Sequence, residues 1–186
     1  PNFQNLPRGG TATVRKAVVS RFPGGKILEA DFGQLEFRIA VWMSDDATGR
    51  KEIDEGFDVH AYTSKVLTQA GQKTSRQDAK ARTFRPLYGG VKGSAAEMEY
   101  NKSFMKKYSG IAKWHTDLQE EVMLHKKITT VTGRQFAFPE VKRLRNGVTE
   151  ATKIKNYPVQ SGATADLVPL SCVLYNNITK SMNLKS

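Results

Sequence analysis

Apolar side chains recur along this chain with two different periods. Residues 26–32 form a short run bounded by glycines, which is typical of a β-strand. Within residues 34–43, the side chains of Leu35, Ile39 and Trp42 return every three to four positions. That spacing places them on one face of a helix, so the pattern predicts a strand followed by a helix with Trp42 in the core.

The remainder of the pattern predicts further helices and one hairpin. Residues 128–138 alternate weakly and place Gly133 at a turn, which indicates a β-hairpin. Pro158 is expected to separate the last two helices. The predicted helices cover residues 58–68, 75–88, 94–107, 110–126, 147–156 and 160–180. This order predicts an α+β fold, in which a short antiparallel sheet with helices carries an inserted, mostly helical lobe.

The helix over residues 75–88 has a clear start signal. Ser75 precedes Asp78 by the three residues of a capping box, and Gly89 should end the helix. Pro86 lacks a backbone N–H and should kink the last turn.

Composition adds a strong positive charge. The 186 residues include 29 Lys and Arg against 18 Asp and Glu, giving a net charge of +11. This charge favours a polyanionic partner such as nucleic acid, although charge alone is weak evidence. The single cysteine excludes an internal disulfide, and no apolar run approaches the roughly 18 residues that a membrane span needs. We therefore expect a soluble, cytoplasmic protein without a membrane partner.

Two groups of residues carry candidate chemistry. Asp31 lies where the predicted strand ends, and such a carboxylate, with the Phe32 carbonyl beside it, suits a hard divalent cation. Glu36 follows in the first turn of the next helix, where the helix dipole favours a carboxylate. The same residues are also common at ordinary strand ends and helix starts.

The second group is a stripe on the helix of residues 75–88. Arg76, Lys80, Phe84 and Tyr88 follow one another at intervals of four and cover about 18 Å of helix. Two cations followed by two aromatic rings match the polarity of a nucleoside triphosphate. An amphipathic helix with a basic exposed face would show the same spacing.

These motifs resemble those of the family A DNA polymerases, which include bacterial DNA polymerase I. Residues 31–38 are similar to the family's motif A, commonly D-Y-S-Q-I-E-L-R, and residues 76–89 resemble motif B, the helix that closes on the incoming dNTP. Shorter similarities follow the family's order at residues 1–7, 58–60, 133–134, 156–160 and 165–166. The resemblance covers the chain from end to end. It implies a palm at residues 1–45, fingers at 46–127 and a return to the palm at 128–186.

The resemblance also implies roles for individual residues. Asp31 would bind both catalytic ions, two Mg²⁺ in the complete enzyme, with the Phe32 carbonyl as a further ligand. Lys80 would hold the triphosphate and donate a proton to the departing pyrophosphate, while Glu36, backed by Tyr88, would exclude a ribose 2′-hydroxyl. The implied nucleotide-binding residues are Gln34, Glu36, His60, Arg76, Lys80, Phe84 and Tyr88. The implied contacts to a DNA primer–template are Tyr88, Gly89, Arg134, Asn156 and Gln160.

The sequence departs from the family in one catalytic feature. The family's second catalytic aspartate lies in a His-Asp pair, called motif C, and none of the three histidines here precedes an aspartate. We therefore expect a fragment, whose missing palm and thumb segments lie on the same or a second chain, and which does not polymerise alone. Pro86 together with Gly90 resembles phage members of the family.

Two other functions fit parts of this pattern. A non-catalytic nucleic-acid-binding module explains the charge but not the two groups of residues together. A polymerase that uses ribonucleotides would share the palm, but Glu36 argues against it because its side chain would clash with ribose.

Overall fold

The computed structural model describes residues 17–27, 30–89 and 93–184, except for the side chain of Ala81. The chain divides into two compact units, Pro1–Gly33 and Gln34–Ser186. In the described part of the first unit, the Gly25 amide donates to the Phe22 carbonyl over 2.9 Å and closes a turn. Residues 1–7, which include the first of the short similarities, lie outside the described residues.

The strand expected at residues 26–32 is not observed. Residues 26, 27 and 30–32 belong to no strand, and 28 and 29 lie outside the described residues. A strand exists only where a neighbouring strand accepts and donates its backbone hydrogen bonds. In the described chain, the strands that pair with one another all belong to the second unit.

The described part of the second unit is mostly helical, and four of its eight helices begin at a residue whose side chain caps the first turn. Asp58 accepts from the amides of His60 and Ala61, and Ser75 accepts from the amide of Asp78. Ser94 and Glu97 form a complete capping box. The helices are α1 (Leu35–Ser44), α2 (Ala47–Asp54), α3 (Val59–Gln69), α4 (Arg76–Thr83), α5 (Ala95–Lys107), α6 (Ser109–His125), α7 (Ala151–Gln160) and α8 (Val168–Ser181).

One buried carboxylate accepts hydrogen bonds from the first turns of two of these helices. The side chain of Asp46, which is 2% exposed, accepts from the amide of Gly49 over 2.8 Å and so caps α2. Its second oxygen accepts from the amides of Gly110 and Ile111, at 2.7 and 3.2 Å, in the first turn of α6. Asp46 therefore joins the corner between α1 and α2 to the start of α6.

Pro86 divides the helix predicted over residues 75–88. Helix α4 ends at Thr83, and Pro86–Tyr88 form a separate 3₁₀ turn. Proline cannot donate to the carbonyl four residues earlier, and the Arg82 carbonyl instead accepts from the amide of Arg85 over 3.2 Å. Tyr88 therefore does not continue the helix that carries Arg76 and Lys80.

Four short strands form two antiparallel pairs. Strands β1 (Lys127–Thr129) and β2 (Gln135–Ala137) are the predicted hairpin, with Gly133 at a φ of 82° in its turn. Strands β3 (Arg143–Leu144) and β4 (Gly147–Val148) form a second pair. The helix expected from residue 147 therefore begins only at Ala151.

Pro158 lies inside α7 and does not end it. A proline removes one hydrogen bond but keeps a helical φ, and here its ring is buried. The chain then continues through a π-helical segment, Ser161–Leu167, into α8. The two helices expected on either side of Pro158 are therefore one continuous helical path.

Two apolar clusters form the core of the second unit. The larger one contains Phe37, Phe104 and Tyr108, whose rings meet edge to face or tilted at 4.6 to 6.5 Å. The smaller one joins α6 and α7 to the hairpin strands through Val122, Ile154 and others. Trp42 was expected in the core but is 55% exposed. No helix in the described ranges is long and apolar enough to span a membrane.

Candidate functional site

Helices α3 and α4 bring the predicted cations together. Arg76, in the first turn of α4, places its Nε 2.6 Å from Oδ2 of Asp58, the residue that caps α3. Burial alone would raise the pKa of Asp58, but hydrogen bonds from Arg76 and from two backbone amides lower it. Because about half of the Arg76 side chain stays exposed, its guanidinium remains accessible to an anion.

His60 lies at the centre of this arrangement. Its ring is 5% exposed and meets the edge of Phe84 at 5.1 Å between centroids. Burial lowers the pKa of His60; the negative charges of Asp58 and Glu36 oppose this shift, and the positive charges of Arg76 and Lys80 reinforce it. Charges from α1, α3 and α4 therefore act on one imidazole.

Lys80 is exposed on α4, one turn beyond Arg76. Phe84 is half-buried and follows the end of the same helix. The stripe predicted from the sequence is therefore continuous from Arg76 to Phe84. Tyr88 reaches the site from the 3₁₀ turn instead.

Tyr88 is held by residues of two other helices. Its phenol oxygen accepts a hydrogen bond from Nε2 of Gln160, on α7, over 2.8 Å. Burial and the nearby carboxylate of Glu36, on α1, raise the pKa of Tyr88 to about 12. Glu36 thus acts electrostatically on both His60 and Tyr88, although 24 and 52 residues separate it from them in the sequence.

Gln34 uses its side chain to hold α3. Its Nε2 donates to the Phe57 carbonyl over 3.4 Å, and its Oε1 accepts from the Val59 amide over 3.3 Å. Both ends of the amide are thus engaged by backbone groups. The role of Gln34 in nucleotide binding stays a prediction.

Gly89 closes the turn after Tyr88 with a φ of 72°. A Cβ atom at this position would lie 2.8 Å from Cδ of Lys155, so the lysine side chain crosses close over the glycine. Burial lowers the pKa of Lys155. The sequence alone did not single out Lys155; its place directly before Asn156, in the N-x-P-x-Q similarity, was the available signal.

The remaining DNA-contact candidates lie on α7 and the β1–β2 hairpin. Oδ1 of Asn156 is buried and makes no hydrogen bond to any described residue. Arg134, exposed after the hairpin turn, donates to Oδ1 of Asp166 over 3.3 Å. Thr132 donates to the other oxygen of that carboxylate over 3.0 Å. Asp166 therefore fixes the hairpin tip to the π-helical segment.

The metal-binding candidates belong to the first unit. Asp31 is exposed, and Phe32 is 45% exposed. A carboxylate and a backbone carbonyl are ligands of the kind that Mg²⁺ prefers. The described residues contain no group of three or more His, Cys, Asp or Glu side chains that could hold a metal ion. The donors present thus fit the ion in kind but supply only part of a coordination shell.

A mostly helical fold with two small antiparallel pairs matches part of a known polymerase domain. The whole chain superposes with a TM-score of 0.74 on the POL domain of Pol1 from M. smegmatis, solved as a complex with DNA primer-template and dNTP. The two sequences are 25% identical, and the match covers 100% of this chain and 35% of the other.

Sequence comparison agrees with the structural match. The chain is 27% identical to DNA polymerase I of Rhizobium leguminosarum over 90% of its own length and 18% of that protein. It is 26% identical to DNA polymerase I of Chloroflexus aurantiacus over 100% of its length and 21% of that protein. The model of DNA polymerase family A matches residues 1–186, and the chain belongs to this family. It spans about a fifth of the length of these relatives.

Proposed function

We propose that the protein containing this chain is a DNA-directed DNA polymerase that adds dNTPs to a primer 3′-hydroxyl. The observation that carries this proposal is the packing of α3 against α4, which sets the Arg76–Asp58 ion pair at the start of these helices and the ring of His60 against Phe84. The exposed cations Arg76 and Lys80, followed on the same side by the ring of Phe84, suit a triphosphate joined to a flat base. We place its activity in the bacterial cytoplasm, or in that of the host if the gene belongs to a phage.

Each residue has a role in this mechanism. Arg76 exchanges its contact with Asp58 for the triphosphate, and Lys80 and His60 bind the neighbouring oxygens. Phe84 packs against the sugar and base of the dNTP, and Glu36, backed by Tyr88, excludes a 2′-hydroxyl. The primer hydroxyl loses its proton to solvent as its oxygen bonds to the α-phosphorus, and the bond from that phosphorus to the β-phosphate oxygen breaks. Lys80 then gives its proton to the leaving pyrophosphate.

Asp31 and the Phe32 carbonyl would hold the Mg²⁺ ions. Two such ions, when bound, lower the pKa of the primer hydroxyl and stabilise charge on the leaving group. The described residues supply one motif carboxylate to this centre, and the complete polypeptide would supply the others.

The proposal assigns the palm to residues 1–45 and 128–186 and the fingers to 46–127. Primer–template contacts come from Gly89 beside the templating base, from Asn156 and Gln160 near the new base pair, and from Arg134 at the backbone. Base pairing then provides sequence specificity, while the protein contacts the phosphates and recognises the shape of the duplex.

Primer extension by the longest natural polypeptide that contains this chain tests the proposal. The assay uses a labelled primer–template, Mg²⁺ and dNTPs. Asp31→Asn should abolish extension, and Lys80→Ala should slow it strongly at saturating dNTP. Asp117→Asn and Lys113→Ala are the matched controls, because these residues form an exposed ion pair on α6.

Two other results of this assay would each indicate a different function. Primer–template binding without extension, unchanged by Asp31→Asn, would indicate a non-catalytic nucleic-acid-binding module. Equal use of rNTPs and dNTPs would contradict the role of Glu36 and indicate a polymerase that accepts ribonucleotides.

A further inference from the structure

A chain of buried hydroxyl groups leads away from His60. Nδ1 of His60 lies 3.1 Å from Oγ1 of Thr83, which lies 2.8 Å from Oγ1 of Thr63. The Thr63 oxygen lies 2.8 Å from the phenol oxygen of Tyr100. Thr63 and Thr83 are fully buried and Tyr100 is 2% exposed, so water does not supply the missing partners. The chain joins α3, α4 and α5 behind the imidazole.

The number of available protons determines which of these hydroxyl groups donates and which accepts in each hydrogen bond. Thr63 donates its hydroxyl proton to the Val59 carbonyl over 2.8 Å, so it has none for Thr83. Thr83 then shares its single proton between Thr63 and the Ala79 carbonyl, both at 2.8 Å, and the buried Tyr100 donates to the Thr63 oxygen. A hydroxyl carries one proton and two acceptor sites, and Thr63 Oγ1 uses all three.

His60 must be the donor in its hydrogen bond with Thr83. Thr83 has no proton left for the imidazole, because its one hydroxyl proton is already shared by two acceptors, Thr63 Oγ1 and the Ala79 carbonyl. The 3.1 Å contact is therefore a hydrogen bond only if Nδ1 of His60 is the donor. In a neutral imidazole with its proton on Nδ1, Nε2 carries a lone pair.

A lone pair on Nε2 cannot donate to a phosphate oxygen. We propose that Thr83 and Thr63 hold His60 with its proton on Nδ1, so that Nε2 binds the triphosphate only after it takes up a proton. Nucleotide binding then absorbs a proton from solvent, and Thr83 is a positioning residue that makes it do so. This inference rests on the proposed function, in which His60 contacts the triphosphate.

The charges around His60 are consistent with the uptake of a proton when the nucleotide binds. Burial, Arg76 and Lys80 lower the pKa of His60, and Asp58 and Glu36 only partly oppose them, so the free protein carries a neutral ring at neutral pH. A bound triphosphate brings several negative charges and raises the pKa of the ring. Nucleotide affinity is therefore greatest at low pH and declines as pH rises from the pKa of the free ring to that of the bound one.

Calorimetry can measure this proton directly. The longest natural polypeptide is bound to a primer–template with a dideoxy-terminated primer, and the complementary dNTP is titrated in at one pH in two buffers of different ionisation enthalpy. The difference between the two heats gives the number of protons taken up. We expect a clear uptake for the wild type and a Kd that rises with pH, by at most about tenfold per unit.

Two variants of Thr83 test the positioning role. Thr83→Val removes the acceptor, which frees the imidazole to place its proton on Nε2, so uptake should fall and the Kd should become less sensitive to pH. Thr83→Ser restores the hydroxyl and should restore the uptake. The nucleotide's own ionisation is the same in all three proteins and cancels in the comparison.

The nitrogen chemical shifts of His60 provide a second readout without nucleotide, and they show which nitrogen carries the proton in the free protein. A proton on Nε2 in the wild type, or binding without proton uptake, would overturn this inference and leave the proposed function intact. Absence of dNTP binding would overturn both. If Thr83→Val does not fold, His60→Gln replaces it, since an amide donor that does not titrate should bind dNTP without uptake.

Discussion

The side-chain amide of Gln160 donates to the phenol oxygen of Tyr88 over 2.8 Å and joins α7 to the turn that follows α4. The two residues are 72 positions apart in the sequence, and both are half-buried. Glu36, on α1, acts electrostatically on the same phenol. The contact with α7 thus holds the phenol oxygen of Tyr88 in place, even though Pro86 removes that residue from helix α4.

Tyr88→Phe tests this hydrogen bond. The variant keeps the ring but leaves the Gln160 amide without its acceptor, and we expect a loss of about 1 kcal/mol in the free energy of unfolding. Denaturant unfolding monitored by circular dichroism measures the loss. Tyr175→Phe, on the exposed face of α8, is the control and should change little. Equal losses in the two variants would argue against a stabilising bond at Tyr88.

Glu36→Ala tests sugar selection. The carboxylate of Glu36 acts electrostatically on both Tyr88 and His60, and the proposed function sets it against the 2′ position of the sugar. Its removal should raise rNTP incorporation relative to dNTP by at least about tenfold, which corresponds to about 1.4 kcal/mol of lost discrimination. Steady-state kcat/KM for matched rNTP and dNTP gives the ratio. Glu121→Ala, at an exposed site on α6, should leave the ratio unchanged.

Asp58→Asn separates charge from capping at the start of α3. Asparagine keeps an oxygen for the amides of His60 and Ala61 but loses the ion pair with Arg76. The pKa of Asp58 is held below its ordinary value of 3.8, so the carboxylate stabilises the fold above that pH, and this stabilisation is lost as pH falls through the lowered pKa. The variant should therefore be less stable than the wild type at neutral pH and should approach it below about pH 4.

Urea unfolding of both proteins between pH 3 and 7 provides the comparison. Asp58→Ala also removes the cap and should cost about 1 kcal/mol more than Asp58→Asn at every pH. A difference between wild type and Asp58→Asn that does not change with pH would contradict a role for the charge.

His115→Gln should make the protein less sensitive to acid. Burial and the positive charge of Lys155 lower the pKa of His115 to about 3, against an ordinary value of 6.5. The unfolded chain therefore binds more protons than the folded one between these values. Stability should fall as pH decreases through this window, by up to about 1.4 kcal/mol per pH unit.

The dependence of unfolding free energy on pH between 7 and 4 is the readout for His115. The slope should decrease in His115→Gln whether or not the substitution weakens the fold overall. His125→Gln is the control, because His125 is exposed at the end of the same helix. The same slope in wild type and His115→Gln would show that His115 is not the group responsible.

The sequence predicted most helix starts correctly because the signals for them are local. Asp58, Ser75 and Ser94 each supply a side-chain oxygen to amides two or three residues later, and this needs no knowledge of the rest of the fold. The hairpin turn at Gly133 was predictable for the same reason. The stripe from Arg76 to Phe84 also followed from spacing alone.

Other features depend on partners distant in sequence. Trp42 has the spacing of a core residue, but the cluster around Phe104 and Tyr108 buries Phe37 and Val41 on the same helix instead. Pro158 is expected to end a helix, yet burial of its ring outweighs the one hydrogen bond that it removes. The contact of Gln160 with Tyr88, the approach of Lys155 to Gly89 and the hydroxyl chain behind His60 likewise required the folded chain.

The carboxylate of Asp46 has a mechanical consequence. The Asp46 side chain is almost inaccessible to solvent and accepts hydrogen bonds from the first turns of both α2 and α6. Separating those turns would leave a buried carboxylate without its hydrogen-bond donors. That penalty should keep the α1–α2 corner and the start of α6 together as one rigid unit. The amides of Gly49, Gly110 and Ile111 should therefore exchange their hydrogens with solvent slowly, because exchange requires this contact to open.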